Sequence, residues 1–155
     1  MRFQSPVLPR SILLTLVVSF VATATLVTVA DSAGAANPVA TPFSVTAKLV
    51  EIPSKFPPDD LYDYAYVMRY VVIGGSMDKQ SIFVAHYKPR EPRSAIKDNM
   101  KSVVSGKVRS FRQGDMHRLQ LTPDLKSVWK GALVDEFAAT DHKSIRYFAL
   151  VADPA

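Results

Sequence analysis

The stretch "YAYVMRYVVI" (residues 64–73), followed by "GGSMDKQ" (74–80) and "SIFVAHYK" (81–88), decides the fold. Aromatic and β-branched residues dominate both apolar runs, which is typical of β-strands. Gly74 and Gly75 lie between the runs, and glycines accept the positive backbone angles that a tight hairpin turn requires. The sequence therefore predicts an antiparallel hairpin at the centre of a β domain.

Three further strands are predicted around this hairpin. "FSVTAKLVEI" (43–52) alternates apolar and polar residues, as a half-buried strand does. "KVRSF" (107–111) and "MHRLQL" (116–121) are both predicted to be extended and count as one strand, which the turn at residues 113–115 interrupts. "IRYFALVAD" (145–153) is the final predicted strand.

One helix is predicted between the third and fourth strands. Ser94 suits the N-cap position, and Gly106 lies where a left-handed C-terminal cap is expected. Apolar residues recur between them at helical spacing, at Ile96, Met100, Val103 and Val104.

The connection at residues 122–144 gives mixed signals. Trp129, Leu133 and Phe137 have helical spacing, but Gly131 weakens a helix there. A long connection without regular structure is unusual, so we expect a short helix or hairpin within it.

Five strands with a helix between the third and fourth predict an OB-fold, a small five-stranded Greek-key barrel. The alternation of apolar and polar residues fits a closed or nearly closed sheet with one inward face. A β-sandwich and an SH3-like barrel remain alternatives. The predicted domain spans residues 43–155, after a flexible, Pro-containing lead-in at residues 36–42.

Residues 1–35 predict a secretory signal peptide. Arg2 and Arg10 precede a long apolar run, and Ala33-Gly34-Ala35 provides a small-residue cleavage site. We expect cleavage after Ala35, or else one residue later, and therefore predict that the mature protein is periplasmic or secreted. The alternative is a retained leader that anchors the protein in a membrane, since the apolar run is near the lower length limit for spanning.

The composition excludes some kinds of chemistry. The sequence contains no cysteine, so disulfide bonds and thiolate catalysis are excluded. A net charge of +5 favours contact with anionic polysaccharide or lipid headgroups, although a charge of this size also serves ordinary solubility. Gly74 and Gly75 precede a strand rather than a helix N-terminus, so no phosphate-binding loop and no cofactor are predicted.

The sequence gives weak signals for catalysis. Asp115 lies two residues before His117 with arginines on both sides, but Asp115 is explained as a turn residue and His117 as a strand residue beside Leu119. The three histidines lack the close spacing of zinc ligands. We therefore predict no catalytic residue and no metal site. The alternative is an exported hydrolase or metal-dependent enzyme that uses His86 and His117.

Ligand binding is the more specific prediction. OB-folds bind through the face of strands two and three, where aromatic rings with neighbouring cations can stack on sugars and hold anions. Alternation places Tyr66 and Tyr70 on one side and Arg69 on the other, and the tyrosines are equally explained as core residues. The candidate ligand-binding residues are Tyr66, Arg69, Tyr70, His86, Lys88, Arg90 and Trp129.

Four segments also resemble a group of small exported bacterial domains. They are "AKLVEIPSKFPP" (47–58), "YVMRYVVIGG" (66–75), "IFVAHYKPR" (82–90) and "FRQGDMHRLQL" (111–121). In that group a strand ending in a Val-Ala-His-aromatic pattern precedes a basic lead-in that contains Gly-Asp. The group is of unknown function, and its members sometimes accompany cell-surface polysaccharide modification proteins of the alginate O-acetylation type. The resemblance therefore implies an exported accessory domain without catalytic residues.

These observations favour a non-catalytic binding or accessory domain at the cell envelope. Its expected partner is an acidic or acetylated polysaccharide, or an envelope protein. Basic residues near the strand ends leave a nucleic-acid-binding OB protein as a further alternative, but export argues against nucleic acid as the partner.

Overall fold

The computed structural model describes residues 41–58 and 62–155. The predicted signal peptide and residues 36–40 of the predicted lead-in lie outside the described residues. Thr41 and Pro42 precede the first strand without regular secondary structure.

The described residues form a mainly β structure, as predicted, with seven strands in a single sheet. The long strands are β1 (Phe43–Glu51), β2 (Tyr64–Val72), β3 (Ser81–Tyr87), β5 (Met116–Thr122) and β7 (Arg146–Pro154). The short strands are β4 (Ser105–Gly106) and β6 (Ala132–Val134). The strand predicted at residues 107–111 does not form.

The strands pair in an order that differs from their order in the chain. β1 is antiparallel to both β2 and β5, and β2 is antiparallel to β3. β7 is antiparallel to β5 and parallel to β3. The short strands pair where a long neighbour does not reach. β6 pairs with the first residues of β2, and β4 pairs with β7 beyond the residues that β3 contacts.

The turn between β2 and β3 has the predicted glycine conformations. Gly74 has a φ of 78° and Gly75 a φ of 70°, which side-chain-bearing residues rarely adopt. Asp78 accepts a hydrogen bond from the Gly74 amide at 2.6 Å. Local turn chemistry therefore fixes the hairpin that the sequence predicts.

Helical structure is short throughout the described residues. The only α-helix described there is α1 (Leu125–Val128). Four 3-10 helices cover Gly75–Met77, Arg93–Ala95, Asn99–Ser102 and Glu136–Ala139.

The prediction of one helix between the third and fourth strands is wrong. Ile96 and Asp98 are extended, so the segment contains two separate 3-10 helices. The Asp98 carboxylate accepts hydrogen bonds from the Met100 amide at 2.9 Å and from the Tyr87 hydroxyl at 2.8 Å. It also contacts the Lys88 ammonium at 2.9 Å. These contacts hold Asp98 outside a helical conformation and override the apolar periodicity.

Gly106 is not a helix cap either. It lies in β4 with a φ of 126°, and a Cβ atom at this position would collide with the backbone of Ala152. Glycine is needed here because β4 approaches β7 closely while its backbone is in a positive-φ conformation.

One side of the sheet forms the first core cluster. Alternate residues of β2 point into it, and all of them are buried. Their neighbours in this cluster include Leu49, Val84, Phe111, Leu119 and Leu121. The β2 residues that point into this cluster are Tyr64, Tyr66, Met68, Tyr70 and Val72.

The opposite side of β2 and β3 forms a second core cluster. The strand residues of this cluster are Ala65, Val67, Phe83, Ala85 and Tyr87. Residues from the segment after β3 cover them, namely Ile96, Met100 and Val104, and Trp129 and Phe137 pack at the margin. Both faces of this hairpin are therefore covered by the chain itself, and burial of each large side chain contributes about 1.5–3 kcal/mol.

The outward side of β1, β5 and β7 is different. Ser44, Lys48, Met116, Arg118 and Gln120 are exposed there. This side of the sheet therefore remains accessible to a ligand. In the described part of the chain, no helix has the length and hydrophobicity to cross a bilayer.

Candidate functional site

The structure does not bring the seven predicted ligand-binding residues together on one exposed surface. Tyr66, Tyr70 and His86 have no solvent exposure. Arg69 is exposed on the opposite side of β2, as alternation predicts, and forms an ion pair with Glu51. The tyrosines thus take the core positions that the sequence analysis left open.

Tyr66 links the core to two loops. Its hydroxyl accepts a hydrogen bond from the Ser54 amide at 2.9 Å and lies 3.3 Å from a Glu136 carboxylate oxygen. Phe56 packs edge-on against its ring, with a centroid distance of 5.0 Å. Desolvation by burial raises the pKa of the Tyr66 hydroxyl. These contacts assign Tyr66 to structural support at one end of the sheet.

Lys88 lies between two carboxylates. Its ammonium is 2.8 Å from Asp63 and 2.9 Å from Asp98. Hydrogen bonding to Asp63 is the largest cause of the raised pKa of Lys88. Lys88 therefore stays protonated and paired with these two carboxylates. Arg90, two residues later, is exposed.

Trp129 packs on the second core cluster. Its ring centroid is 5.0 Å from that of Tyr87, and its indole Nε1–H donates to the Ala132 carbonyl at 2.9 Å. Trp129 is therefore half-buried and hydrogen-bonded rather than presented as an open stacking platform.

The structure brings two predicted alternative residues, His86 and His117, to the same hydroxyl. Tyr70 Oη is 3.0 Å from His86 Nε2 and 3.3 Å from His117 Nδ1. Phe111 packs beside both imidazoles, with centroid distances of 4.4 and 5.5 Å. Arg93 is also buried, and its guanidinium lies over the Phe111 ring at 5.4 Å.

The proton arrangement follows from what each group can donate. The Tyr70 hydroxyl has one proton, so one histidine must accept from it and the other must donate to it. His86 Nδ1 has no hydrogen-bond partner among the described residues. A buried N–H without a partner is less favourable than an unpaired acceptor. We therefore infer that His86 Nε2–H donates to Tyr70, whose hydroxyl donates to His117 Nδ1.

Burial controls the acid–base behaviour of this cluster. Desolvation lowers the pKa of His86 well below its ordinary value, and the charges of Arg93 and His117 lower it further. Desolvation also lowers the pKa of His117, against a smaller opposing effect of Asp115. Desolvation raises the pKa of Tyr70 well above its ordinary value. All three groups are thus neutral near pH 7.

The cluster is poorly placed for catalysis. A general base must come within hydrogen-bond reach of a substrate proton. His86 has no solvent exposure and His117 is 2% exposed, so a substrate could not reach either ring without opening the core. In the described residues, no three His, Asp or Glu side chains are grouped so as to hold a metal ion.

An accessible cavity lies instead on the outward side of β1, β5 and β7. Its volume is about 450 Å³. Side chains from all three strands line it: Ser44, Thr46, Arg118, Gln120, Val151 and Asp153. Strand pairing places Thr46 opposite Arg118 and Ser44 opposite Gln120. We call this surface, with Lys48 and Met116 in the next pair, the polar face.

The polar face carries two cations, Arg118 and Lys48, and one carboxylate, Asp153, which strand pairing places directly opposite Arg118. Arg118 and Lys48 are exposed and form no ion pair within the described ranges. The single carboxylate in the cavity lining, Asp153, accepts a hydrogen bond from the Lys107 amide at 2.9 Å. The cavity therefore offers hydroxyl, amide and guanidinium groups to a ligand, together with the Asp153 carboxylate.

The polar face was not predicted as a site from the sequence. The signal was present, since Ser44, Thr46 and Lys48 alternate with apolar residues, as do Met116, Arg118 and Gln120. Such alternation indicates a solvent-facing side, but only the register of β1 with β5 shows that the polar residues adjoin.

Comparisons with known protein families, with curated proteins and with solved structures found no match to this chain.

Proposed function

We propose that this protein is an exported, non-catalytic accessory domain of the cell envelope that binds an anionic polysaccharide through its polar face. The observation that carries the proposal is the cavity of about 450 Å³ lined by Arg118 with hydroxyl and amide side chains. A guanidinium binds carboxylates with two parallel hydrogen bonds, and hydroxyl and amide groups match sugar hydroxyls.

The strand pairings support an OB-type barrel as the scaffold. From β1 the pairings pass through β2, β3, β7 and β5, and β5 pairs again with β1. Every long strand then has two long neighbours, as in a closed sheet. The ligand surface of our proposal is not the usual OB face, because the second core cluster covers the outward side of β2 and β3.

The chemistry of the polar face favours polysaccharide over nucleic acid. Single-stranded nucleic acids bind to surfaces where bases stack on aromatic rings. The residues that line the cavity include no aromatic side chain. Polyuronates, which combine hydroxyls with regularly spaced carboxylates, fit the available groups.

The alternative of an exported hydrolase or metal-dependent enzyme has weaker support. It depends on His86 and His117, which are buried around Tyr70. Neither imidazole is exposed enough for a substrate to reach it.

Affinity electrophoresis and titration calorimetry with a soluble polyuronate test the binding proposal. Arg118→Ala is the variant, and Lys97→Ala is the matched control, since Lys97 is an exposed cation in the segment after β3. We expect Arg118→Ala to weaken binding about tenfold or more, in line with loss of a charge-assisted hydrogen bond. We expect no change with Lys97→Ala, and weak binding to a neutral glucan.

Equal affinity for the charged and neutral polysaccharides would contradict the proposal, and so would equal affinities of the two variants. The proposed export has its own test. N-terminal sequencing of the protein recovered from the cell envelope should begin at Ala36 or Asn37, and an intact N-terminus in the cytosol would overturn export.

A further inference from the structure

A second surface, formed by the connection between β5 and β7, has a different chemistry. Two adjoining cavities lie there, with volumes of about 450 and 340 Å³. They share Leu125, Lys126 and Leu133. Ile145 lies in the first cavity and Trp129 in the second. We call the continuous surface formed by these five residues the apolar trough.

The trough exposes side chains that globular proteins usually cover. Leu133 is 39% exposed and Ile145 is 54% exposed. These are two of the five large apolar side chains that are exposed in the described part of the chain. Adjoining exposed apolar side chains with polar margins often mark a binding surface.

The acidic groups around the trough are already engaged. Asp135 accepts hydrogen bonds from Arg146 Nε at 2.8 Å and from the Phe137 amide at 3.1 Å. Asp124 caps α1 by accepting from the Ser127 amide at 3.2 Å. Arg146 is held in turn by the Ser144 carbonyl at 2.7 Å.

The lysines at the margin are not engaged in this way. Lys126 and Lys130 are exposed and have no ion pair with any residue in the described ranges. Asp124 is the one lining carboxylate without a cationic partner in the described ranges, so Lys126 and Lys130 leave a net positive charge at the margin. The surface between the lysines and Ile145 is apolar.

We propose that the apolar trough binds an unbranched anionic amphiphile of the fatty-acid class. An unbranched chain can follow both cavities across Leu125 and Leu133, where a bulky ring system would fill one cavity alone. The carboxylate would lie against Lys126 or Lys130. This site is separate from the polar face and does not depend on the polysaccharide proposal.

Calorimetry with octanoate, decanoate and dodecanoate, each below its micellar concentration, tests the apolar part of the proposal. Full burial of a methylene strengthens binding about fourfold. We expect the affinity to rise with each added pair of methylenes and decanoate to bind more tightly than decanol. Absence of saturable binding, or affinity independent of chain length, would overturn the proposal.

Substitutions locate the site. Leu133→Asp should lower the affinity for decanoate about tenfold or more, because a carboxylate would face the apolar chain. Ile73→Asp is the matched control, since Ile73 is 43% exposed but lies at the end of β2. Ile145→Asp provides a second variant at the trough if Leu133→Asp fails to fold, as judged by circular dichroism. Equal losses in the trough and control variants would contradict the assignment.

The two proposed sites can fail independently. Leu133→Asp should leave polyuronate binding unchanged, and Arg118→Ala should leave decanoate binding unchanged. Loss of decanoate binding in Arg118→Ala would contradict the trough as the site, whatever the result with polyuronate.

Discussion

The Tyr70 hydroxyl lies 3.0 Å from His86 Nε2 and so joins two neighbouring strands, β2 and β3, by a buried side-chain hydrogen bond. The same hydroxyl lies 3.3 Å from His117 Nδ1 of β5. A single phenolic group thus satisfies imidazoles from two other strands within a mostly apolar core. Removal of that group affects both histidines at once.

Tyr70→Phe should destabilise the protein by about 2–6 kcal/mol, because it leaves two buried imidazole nitrogens without their partner at roughly 1–3 kcal/mol each. Urea denaturation measures the change. Tyr62→Phe is the control, since Tyr62 is 47% exposed and should lose little stability. Similar midpoints for Tyr70→Phe and the unsubstituted protein would show that the hydrogen bonds contribute nothing net.

Stability should decrease in mild acid. The folded-state pKa values of His86 and His117 are lowered, chiefly by burial, so the unfolded chain binds more protons below about pH 6.5. The contribution of both groups is therefore fully present above about pH 6.5 and is lost as the pH falls towards their folded-state values. Arg93 strengthens the effect at His86, and Asp115 reduces it at His117.

Urea midpoints at a series of pH values from neutral to mildly acidic measure this dependence. His86→Gln should flatten the curve, and His142→Gln is the control variant, since His142 is exposed. A pH dependence that persists unchanged in His86→Gln would contradict the assignment to His86.

Asp98→Ala should destabilise the covering segment after β3 by about 0.5–2 kcal/mol, the usual cost of losing a helix cap. The variant also removes one hydrogen-bond partner of Tyr87 and one of the two carboxylate partners of Lys88. Amide hydrogen exchange at Met100 and Val104 should accelerate more than exchange in β5. Asn99→Ala is the control, since Asn99 is exposed beside it, and equal effects of the two variants would argue against a role of the Asp98 carboxylate.

Gly106→Ala should cost more stability than Gly114→Ala. Both glycines have positive φ angles, 126° and 101°, so both variants incur backbone strain of about 1–3 kcal/mol. Only at Gly106 does the new Cβ also collide with a neighbouring strand, because nothing lies within 4 Å of the Cβ position at Gly114. Thermal denaturation of the two variants compares them, and equal losses would show that β4 can move away from β7.

The hairpin of β2 and β3 could be predicted because its signals are local. The glycine turn and the side-chain alternation appear within a few residues, and the structure has the expected conformations at Gly74 and Gly75. The separation of Tyr70 from Arg69 onto opposite sides of β2 also follows from alternation alone.

The segment after β3 shows where local signals are insufficient. Ile96, Met100 and Val104 are buried together, as their spacing predicts, but they do not lie on one continuous helix. The decisive contacts come from Tyr87 and Lys88 to Asp98, and no pattern within the segment reveals them.

The sites depend on long-range register, which a single sequence does not reveal. The meeting of His86 and His117 at Tyr70 requires β2, β3 and β5 to be aligned within one residue. The polar face likewise requires β1 and β5 to be neighbours, although 64 residues separate Glu51 from the start of β5 at Met116.

β7 pairs with β3, β4 and β5, and it follows all three of them along the chain. Until β7 has emerged from the ribosome, one long edge of β3 and one of β5 lack their partner, however early the preceding hairpin forms. Completion of the sheet is therefore a late event in the synthesis of this chain. A nascent chain stalled before Arg146 would expose unpaired strand edges, which can pair with other chains and aggregate.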